Sequence, residues 1–156
     1  CGGDCQRRAA PARGILTMDC IFCRIIEGKV PSTRVYEDKD TLAFMDIGPV
    51  SRGHTLVVPK QHCDPITRVP PDILQKTILV VQKIVGAQVR GLGAAAVNVT
   101  QAIGRLAGQF IPHVHFHVIP RFEDDSQARN WIPGKYENPD EMAELAGKMK
   151  AALQAL

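Results

Sequence analysis

The sequence lacks the features that mark several specialised classes of protein. Its apolar stretches fall far short of the roughly 18 residues that a membrane-spanning helix needs, and no apolar core of a secretory signal is evident. The five cysteines do not make an even disulfide framework, so reduced thiols in a cytosol-like compartment fit better. We therefore expect a cytoplasmic protein without a membrane partner.

The sequence also lacks a large excess of charge of either sign. The formal net charge is +3, and within residues 1–17 Arg7, Arg8 and Arg13 outweigh Asp4 by +2. Only +1 is left for the remainder of the chain. Because nucleic-acid grooves carry a strong basic excess, we expect no nucleic-acid partner.

Composition divides the chain near residue 18. Residues 1–17 are rich in Gly, Ala and Arg and show no sustained periodicity. We interpret them as a disordered or non-native N-terminal extension, and the alternative is an Arg-rich organelle-targeting segment. Residues 18–156 are long enough to bury a sizeable core and predict a single domain.

Periodicity and turn residues predict the elements of this domain. The strands are expected at residues 35–37, 41–45, 54–59, 95–101 and 113–121. The helices are expected at residues 22–27, from Pro70 to the glycines at 91 and 93, and at 139–153. An apolar stripe on the long helix is expected at Leu74, Ile78, Val81 and Val85. Strands that follow one another around one long helix indicate an α+β fold.

Three of the five histidines lie at alternate positions within residues 113–117. On a strand, side chains point to opposite faces with period 2, so His113, His115 and His117 share one face. Adjacent imidazoles suggest nucleophilic or acid–base chemistry, or a metal site. The alternative is a surface strand that merely carries histidines.

Cys20 and Cys23 form a C-x-x-C pair. Two thiolates at this spacing can bind one zinc ion, although they supply only half of a tetrahedral shell. A redox pair and two plain buried cysteines are the alternatives. A thioredoxin-like site would need a β-α-β context, which the predicted elements do not provide.

Four segments in order resemble the histidine triad family of nucleotide hydrolases and transferases: residues 20–26, 42–47, 53–62 and 108–121. Together they extend over most of residues 19–137. The resemblance implies an antiparallel five-stranded sheet with one long helix and a C-terminal helix. It also implies a homodimer and an adenine nucleotide as substrate.

The resemblance makes His115 the nucleophile that forms a nucleotidyl-histidine intermediate. His117 would donate to a phosphate oxygen as charge develops, and His54 would orient or relay a proton to the triad. The alternative for His54 is a structural role. Asp46 would accept hydrogen bonds from the ribose hydroxyls. The remaining expected nucleotide contacts are an apolar base slot of Phe22, Phe44 and Ile47, with plain core packing as the alternative, and a phosphate approach at Gly108 and Gln109.

A zinc-binding branch of the family implies a use for the C-x-x-C pair. By this resemblance Cys20, Cys23, His62 and His113 hold one zinc ion. A Cys₂His₂ shell leaves no open coordination position, so the zinc would be structural.

Two departures from the family pattern concern polar contacts near the nucleotide. Ala102 and Ile103 stand where many members have two amides, and Phe110 stands where some have a hydroxyl residue. We expect a hydrolase that releases a nucleoside monophosphate, AMP first, from a phosphoramidate or phosphoanhydride. The alternatives are a dinucleoside polyphosphate hydrolase, a nucleotide-binding scaffold with little turnover, and a zinc-organised structural domain.

Overall fold

The computed structural model describes residues 20–123, 125 and 132–155. The expectation for residues 1–17 therefore lies outside the described residues. In chain order the elements are α1 (Ile21–Ile26), β1 (Arg34–Glu37), β2 (Thr41–Met45), β3 (Thr55–Pro59), α2 (Pro71–Leu92), β4 (Ala96–Thr100), β5 (Phe116–Arg121) and α3 (Pro139–Gln154). Short 3-10 helices occupy Ile66–Arg68 and Arg105–Ala107.

The five strands form one antiparallel sheet in the order β1-β2-β3-β5-β4. The expected α+β class and five-stranded sheet are confirmed. β5 lies between β3 and β4, with Leu56 and Thr100 as the cross-strand partners of His117. The order of the sheet thus brings the histidine segment next to residues distant in sequence.

The histidine strand is shorter than predicted, because β5 begins at Phe116 rather than at residue 113. The amide of His113 donates to the Ile111 carbonyl, and the amide of Val114 donates to the Cys63 carbonyl. Those amides are therefore engaged outside the sheet ladder. The alternation of buried apolar residues nevertheless continues through Val114, Phe116 and Val118.

Two apolar clusters cover the two faces of the sheet. The larger one joins Val57, Phe116 and Val118 to α2 and α3. The smaller one places α1 against strand residues of the opposite parity; its buried members are Phe22, Ile25, Leu42, Phe44, Leu56 and Val58. Since His117 is paired with Leu56, the histidines lie on the α1 side of the sheet.

α2 packs most of its predicted apolar stripe against the core: Val81 is buried, and Leu74 and Val85 contact the larger cluster. Its buried residues are Thr77, Val80, Val81, Ile84, Ala87 and Gln88. Ile78, expected in the apolar stripe, is 44% exposed. Apolar residues also occupy the solvent side of α2, at Leu79 and Val89, so a 3.6-residue repeat alone fits more than one face.

The ends of the long helices follow from local chemistry. Pro71 occupies the first turn of α2, where a missing N–H costs nothing, and Gly93 closes it with a φ of 70°. The Asn138 side chain accepts from the amides of Asp140 and Glu141 at the start of α3. Among the described helices, none has the length and apolar character that a bilayer crossing requires.

Candidate active site and metal centre

His115 is held in one tautomer by the backbone. Its Nδ1 lies 2.7 Å from the carbonyl oxygen of His113, so Nδ1 carries the proton and donates it. Nε2 is then unprotonated and has a free lone pair. Burial lowers the pKa of His115 below its ordinary value, which favours the neutral imidazole. The ring also packs edge-on against Phe22, with centroids 5.1 Å apart.

His117 and His54 form a hydrogen-bonded pair across β5 and β3, with 3.0 Å between His117 Nδ1 and His54 Nε2. The Val50 amide donates to His54 Nδ1 at 3.2 Å, so the proton of His54 lies on Nε2. This proton is donated to His117 Nδ1, which leaves the proton of His117 on Nε2. His117 therefore has an N–H donor at Nε2, and its ring centroid lies 5.0 Å from that of His115.

Burial keeps both members of this pair neutral. Desolvation lowers the pKa of His54 to about 3 and that of His117 to about 4, with neighbouring imidazoles adding to the effect. The structure thus brings His54, His115 and His117 together as three neutral imidazoles. One of them, His115, has an unprotonated Nε2, and another, His117, carries an N–H donor at Nε2.

Asp46 lies at the end of β2 beside the histidine pair. Its Oδ1 accepts from the Gly48 amide at 2.9 Å, and its Oδ2 lies 3.6 Å from His54 Nδ1. Burial raises the pKa of the Asp46 carboxyl group above its ordinary value. The Asp46 side chain remains partly exposed, so the carboxylate can accept hydrogen bonds from a bound ligand.

The three residues predicted as a base slot lie in different environments. Phe22 and Phe44 are buried and make an edge-to-face pair with centroids 5.7 Å apart. Ile47 is 83% exposed. Phe22 and Phe44 thus belong to the smaller core cluster, and we call this pair the apolar floor of the expected base site. Ile47 is open to solvent. Their role in base binding stays a prediction.

The Gln109 side chain makes three hydrogen bonds within the protein that the sequence did not predict. Its Nε2 donates to Asp64 Oδ1 at 2.8 Å and to the Ile111 carbonyl at 3.1 Å. Its Oε1 accepts from the Gly104 amide at 2.7 Å. Both N–H groups of the side chain are therefore engaged by the protein, and Gln109 ties two loops together. The predicted approach of Gly108 and Gln109 to phosphate is untested.

The departures from the family pattern lie on the loop that joins β4 to β5. This loop leaves the sheet at Thr100, the partner of His117, and returns through the histidine segment. Ile103 is 50% exposed and Phe110 is 81% exposed. Apolar side chains thus face solvent on a loop that begins and ends beside the histidines.

Cys20, Cys23, His62 and His113 come together although they are far apart in the chain. One donor atom from each lies within 4.8 Å of the others. Cys23 Sγ is 3.3 Å from His62 Nδ1, and Cys20 Sγ is 3.5 Å from His113 Nδ1. Zinc bond lengths place a sulfur and a nitrogen ligand about 3.6 Å apart in a tetrahedral shell. The four residues therefore form a metal-binding cluster of suitable size.

The surroundings of this cluster also suit a cation. His113 Nε2 lies 2.9 Å from the Pro59 carbonyl, so Nε2 donates and Nδ1 is left unprotonated toward the thiols. With no cation near it, Cys23 has a pKa raised to about 12 by burial and by the neighbouring Cys20 thiol. A divalent cation would favour both thiolates.

Comparisons with known proteins identify the family of the chain. Residues 27–124, more than half of the chain, match the sequence profile of the HIT domain, and the chain belongs to the HIT family. It is 46% identical over 121 residues to a HIT-like protein of Methanocaldococcus jannaschii, an alignment that covers 78% of this chain and 92% of that relative.

Two further relatives bear on chemistry and on metal. An adenosine 5'-monophosphoramidase of Schizosaccharomyces pombe is 34% identical over 137 residues, which is 88% of this chain and all of that protein. The crystal structure of a zinc-bound histidine triad family protein from Mycobacterium smegmatis has a TM-score of 0.78 and 37% identity. It covers 88% of this chain and 95% of its own.

Proposed function

We propose that this protein is a hydrolase that releases a nucleoside monophosphate, AMP by preference, from an amine leaving group. The observation that carries the proposal is the tautomer of His115, whose Nδ1 donates to the His113 carbonyl and whose Nε2 is free. A neutral imidazole can attack phosphorus without first losing a proton. The phosphoramidase among the relatives supports this class of substrate.

The first step forms a bond between His115 Nε2 and the α-phosphorus, while the bond from phosphorus to the amine nitrogen breaks. The amine takes up a proton from solvent. The adenylylated ring of His115 carries positive charge, and its Nδ1–H donates to the His113 carbonyl. The charges of Asp46 and Asp64 also favour a cationic His115.

The second step consumes water. Water attacks the phosphorus, the bond to His115 Nε2 breaks, AMP leaves, and the second proton of water goes to solvent. His117 Nε2–H donates to a phosphoryl oxygen in both steps, because its Nδ1 is occupied by His54. The neutrality of the pair keeps this donor in place at physiological pH.

The nucleotide is held by groups beside the triad. Asp46 accepts from the ribose hydroxyls, since Oδ2 is not engaged by a backbone amide and Oδ1 is fixed by Gly48. The base lies on the floor of Phe22 and Phe44, and the exposed Ile47 side chain covers it. Gly108 lets the backbone approach the phosphate, and Gln109 holds that loop in position.

The test is turnover of adenosine 5'-phosphoramidate by the wild type and by folded His115→Ala and His115→Asn variants. We expect kcat/KM to fall by about a thousandfold or more, because the attacking atom is lost. A His117→Ala variant should also lose turnover, because the donor that serves both steps is gone. Equal turnover by wild type and His115→Ala would overturn the proposal.

The same assay separates the alternatives. If calorimetry shows that AMP binds and the wild type has no turnover, the protein is a nucleotide-binding scaffold. This alternative is considered because apolar Ala102 and Ile103 replace two amides near the nucleotide. Faster turnover of diadenosine polyphosphates than of phosphoramidates would indicate a dinucleoside polyphosphate hydrolase, whose leaving group is a nucleotide. The leaving-group preference follows from the ratio of the two kcat/KM values.

We also propose that Cys20, Cys23, His62 and His113 hold a structural zinc ion. The donor set, the spacing and the orientation of His113 support it, as does the zinc-bound relative. When bound, the ion would tie α1 and the loop after β3 to the histidine segment. We expect about one zinc per chain, and a Cys23→Ser variant with less zinc and a lower unfolding temperature. Full zinc content in that variant would contradict the assignment.

The protein is further proposed to be a cytoplasmic homodimer. The support for a dimer is the exposed β4 edge and the apolar residues on the solvent side of α2. The compartment is proposed from the sequence alone, since the structure has Cys20 and Cys23 as free thiols and Cys63 in a disulfide.

A further inference from the structure

Gln88 is a polar side chain inside the larger core. It lies near the C-terminal end of α2, on the face that packs against the sheet, and is fully buried. A buried primary amide is costly unless it is hydrogen-bonded. Its presence among apolar neighbours therefore calls for a function that an apolar residue could not supply.

The amide nitrogen of Gln88 bridges two strands. Nε2 donates to the Gly53 carbonyl at 3.0 Å and to the Val118 carbonyl at 2.9 Å. Two carbonyl oxygens are both acceptors, so a group that joins them needs two hydrogen-bond donors. The Gln88 –NH₂ group supplies both.

The two carbonyls flank the histidine pair. Gly53 directly precedes His54, and Val118 directly follows His117. The pairing of β3 with β5 extends from Val57 to Thr55, and His54 lies one residue beyond it. Gln88 joins the strands just beyond the last paired residues, where the 3.0 Å bond between His54 and His117 must be kept.

We propose that Gln88 is a positioning residue for the reaction: by clamping the Gly53 and Val118 carbonyls it fixes the His54–His117 hydrogen bond and so the Nε2–H donor of His117. The inference rests on the proposed function for its kinetic consequence only. Gln88 touches neither substrate nor the reacting atoms and acts from the opposite face of the sheet. An apolar residue of equal size would fill the core and leave the clamp open.

Two variants and one control test the clamp. Gln88→Met keeps the length of the side chain and removes both donors, and Gln88→Glu keeps its shape without the –NH₂ group. The control is Ile84→Val, one turn earlier on the same buried face, which perturbs packing without touching either carbonyl. Circular dichroism and urea unfolding identify the variants that fold.

The first measurement uses nitrogen-15 NMR of the histidine rings in ligand-free protein. In the wild type and in Ile84→Val we expect His54 and His117 both as the Nε2–H tautomer. In either folded Gln88 variant we expect His117 to become a mixture of tautomers. The proposal would be overturned if His117 of the wild type is protonated on Nδ1. It would also be overturned if the Gln88 variants show the same histidine tautomers as Ile84→Val.

The second measurement is kinetic. In the Gln88 variants kcat for adenosine 5'-phosphoramidate should fall about tenfold or more with KM within about twofold, because a small misplacement of a donor affects the transition state most. Ile84→Val should keep kcat within about twofold. A wild type without turnover would refute the proposed function alone, since the NMR result still decides on Gln88. A kcat equal to that of the control would overturn the clamp.

Discussion

The buried imidazoles of His54 and His117 make stability depend on pH in a definite direction. Their pKa values are about 3 and about 4 in the folded protein, against about 6.5 in an unfolded chain. Between pH 6.5 and pH 4 the unfolded chain therefore binds more protons than the folded one. The free energy of unfolding should fall as the pH is lowered through this window, by up to about 1.4 kcal/mol per pH unit for each group.

Urea unfolding at several pH values measures this slope. A His54→Gln variant removes one of the two groups and leaves the metal cluster untouched, so the difference between its slope and that of the wild type reports on His54. We expect the variant to show the shallower slope. Parallel slopes would show that His54 is not a neutral buried base.

An Asp46→Asn variant tests the ribose contact and keeps the hydrogen bond from the Gly48 amide. The amide oxygen of Asn can still accept from the Gly48 amide, as Asp46 Oδ1 does, but the second acceptor oxygen is gone. We expect kcat/KM for the ribonucleotide substrate to fall about tenfold, roughly 1.4 kcal/mol. For a substrate without ribose hydroxyls the same change should have little effect. An equal loss on both substrates would place Asp46 outside the ribose site.

At the scale of single residues the sequence predicted identities better than protonation states. Alternation placed His113, His115 and His117 on one face, and Val114 and Phe116 pack into the larger cluster on the other face. Which ring nitrogen bears the proton depends on the carbonyls of His113 and Pro59 and on the amide of Val50. Those contacts are set by tertiary structure and have no signature in a single sequence.

The crossing of α2 and α3 depends on a glycine. A Cβ atom added at Gly91 would lie 2.8 Å from the Lys148 carbonyl oxygen and 3.1 Å from Ala152 Cβ. Gly91→Ala should therefore destabilise the protein by about 1–3 kcal/mol, despite the higher helix propensity of Ala. Gly147→Ala is the matched control in α3, because no atom lies within 4 Å of its added Cβ.

The control should move in the opposite direction. Gly147→Ala gains helix propensity without a clash and should raise stability by about 0.5–1 kcal/mol. The free energies of both variants can be read from urea unfolding. A stabilised Gly91→Ala would mean that the two helices separate at little cost.

At the scale of elements the sequence predicted the strands well, and of the apolar stripe on α2 only Ile78 is exposed. β2 has the predicted bounds, residues 41–45, because it is delimited by a turn and an aspartate. The interpretation of Gly91 as a helix terminator was wrong, since α2 extends to Leu92 and Gly93 closes it. A glycine needed for close packing and a glycine needed for a left-handed φ look the same in sequence.

For the molecule as a whole, the two faces of the sheet have separate tasks. The α2 and α3 side holds the larger core, and the opposite side carries the histidines, Asp46 and the metal-binding cluster. Sequence reasoning could group these residues only through the family resemblance. Cys20 and His113 are 93 positions apart, and no local pattern predicts that they meet.

The outer edge of β4 predicts how two copies of the chain associate. Its residues are mostly exposed, and an open strand edge is a template for pairing with another strand. Val99 is paired with the buried Val118, so it lies on the α2 side of the sheet, where it is 46% exposed. Leu79 and Val89 on the solvent side of α2 are also exposed, and exposed apolar residues are a common feature of interaction surfaces.

We therefore expect a homodimer whose sheets join through β4, and we expect Val99→Lys combined with Leu79→Glu to convert it to a monomer. Charges on an edge strand and an apolar face oppose association because they would be desolvated on pairing. Sedimentation or light scattering measures the mass of each variant. Ile132→Lys is the control, since Ile132 is an exposed apolar residue outside both β4 and α2 and should leave the dimer intact. A wild type that is monomeric at micromolar concentration, or a double variant that still dimerises, would contradict this association.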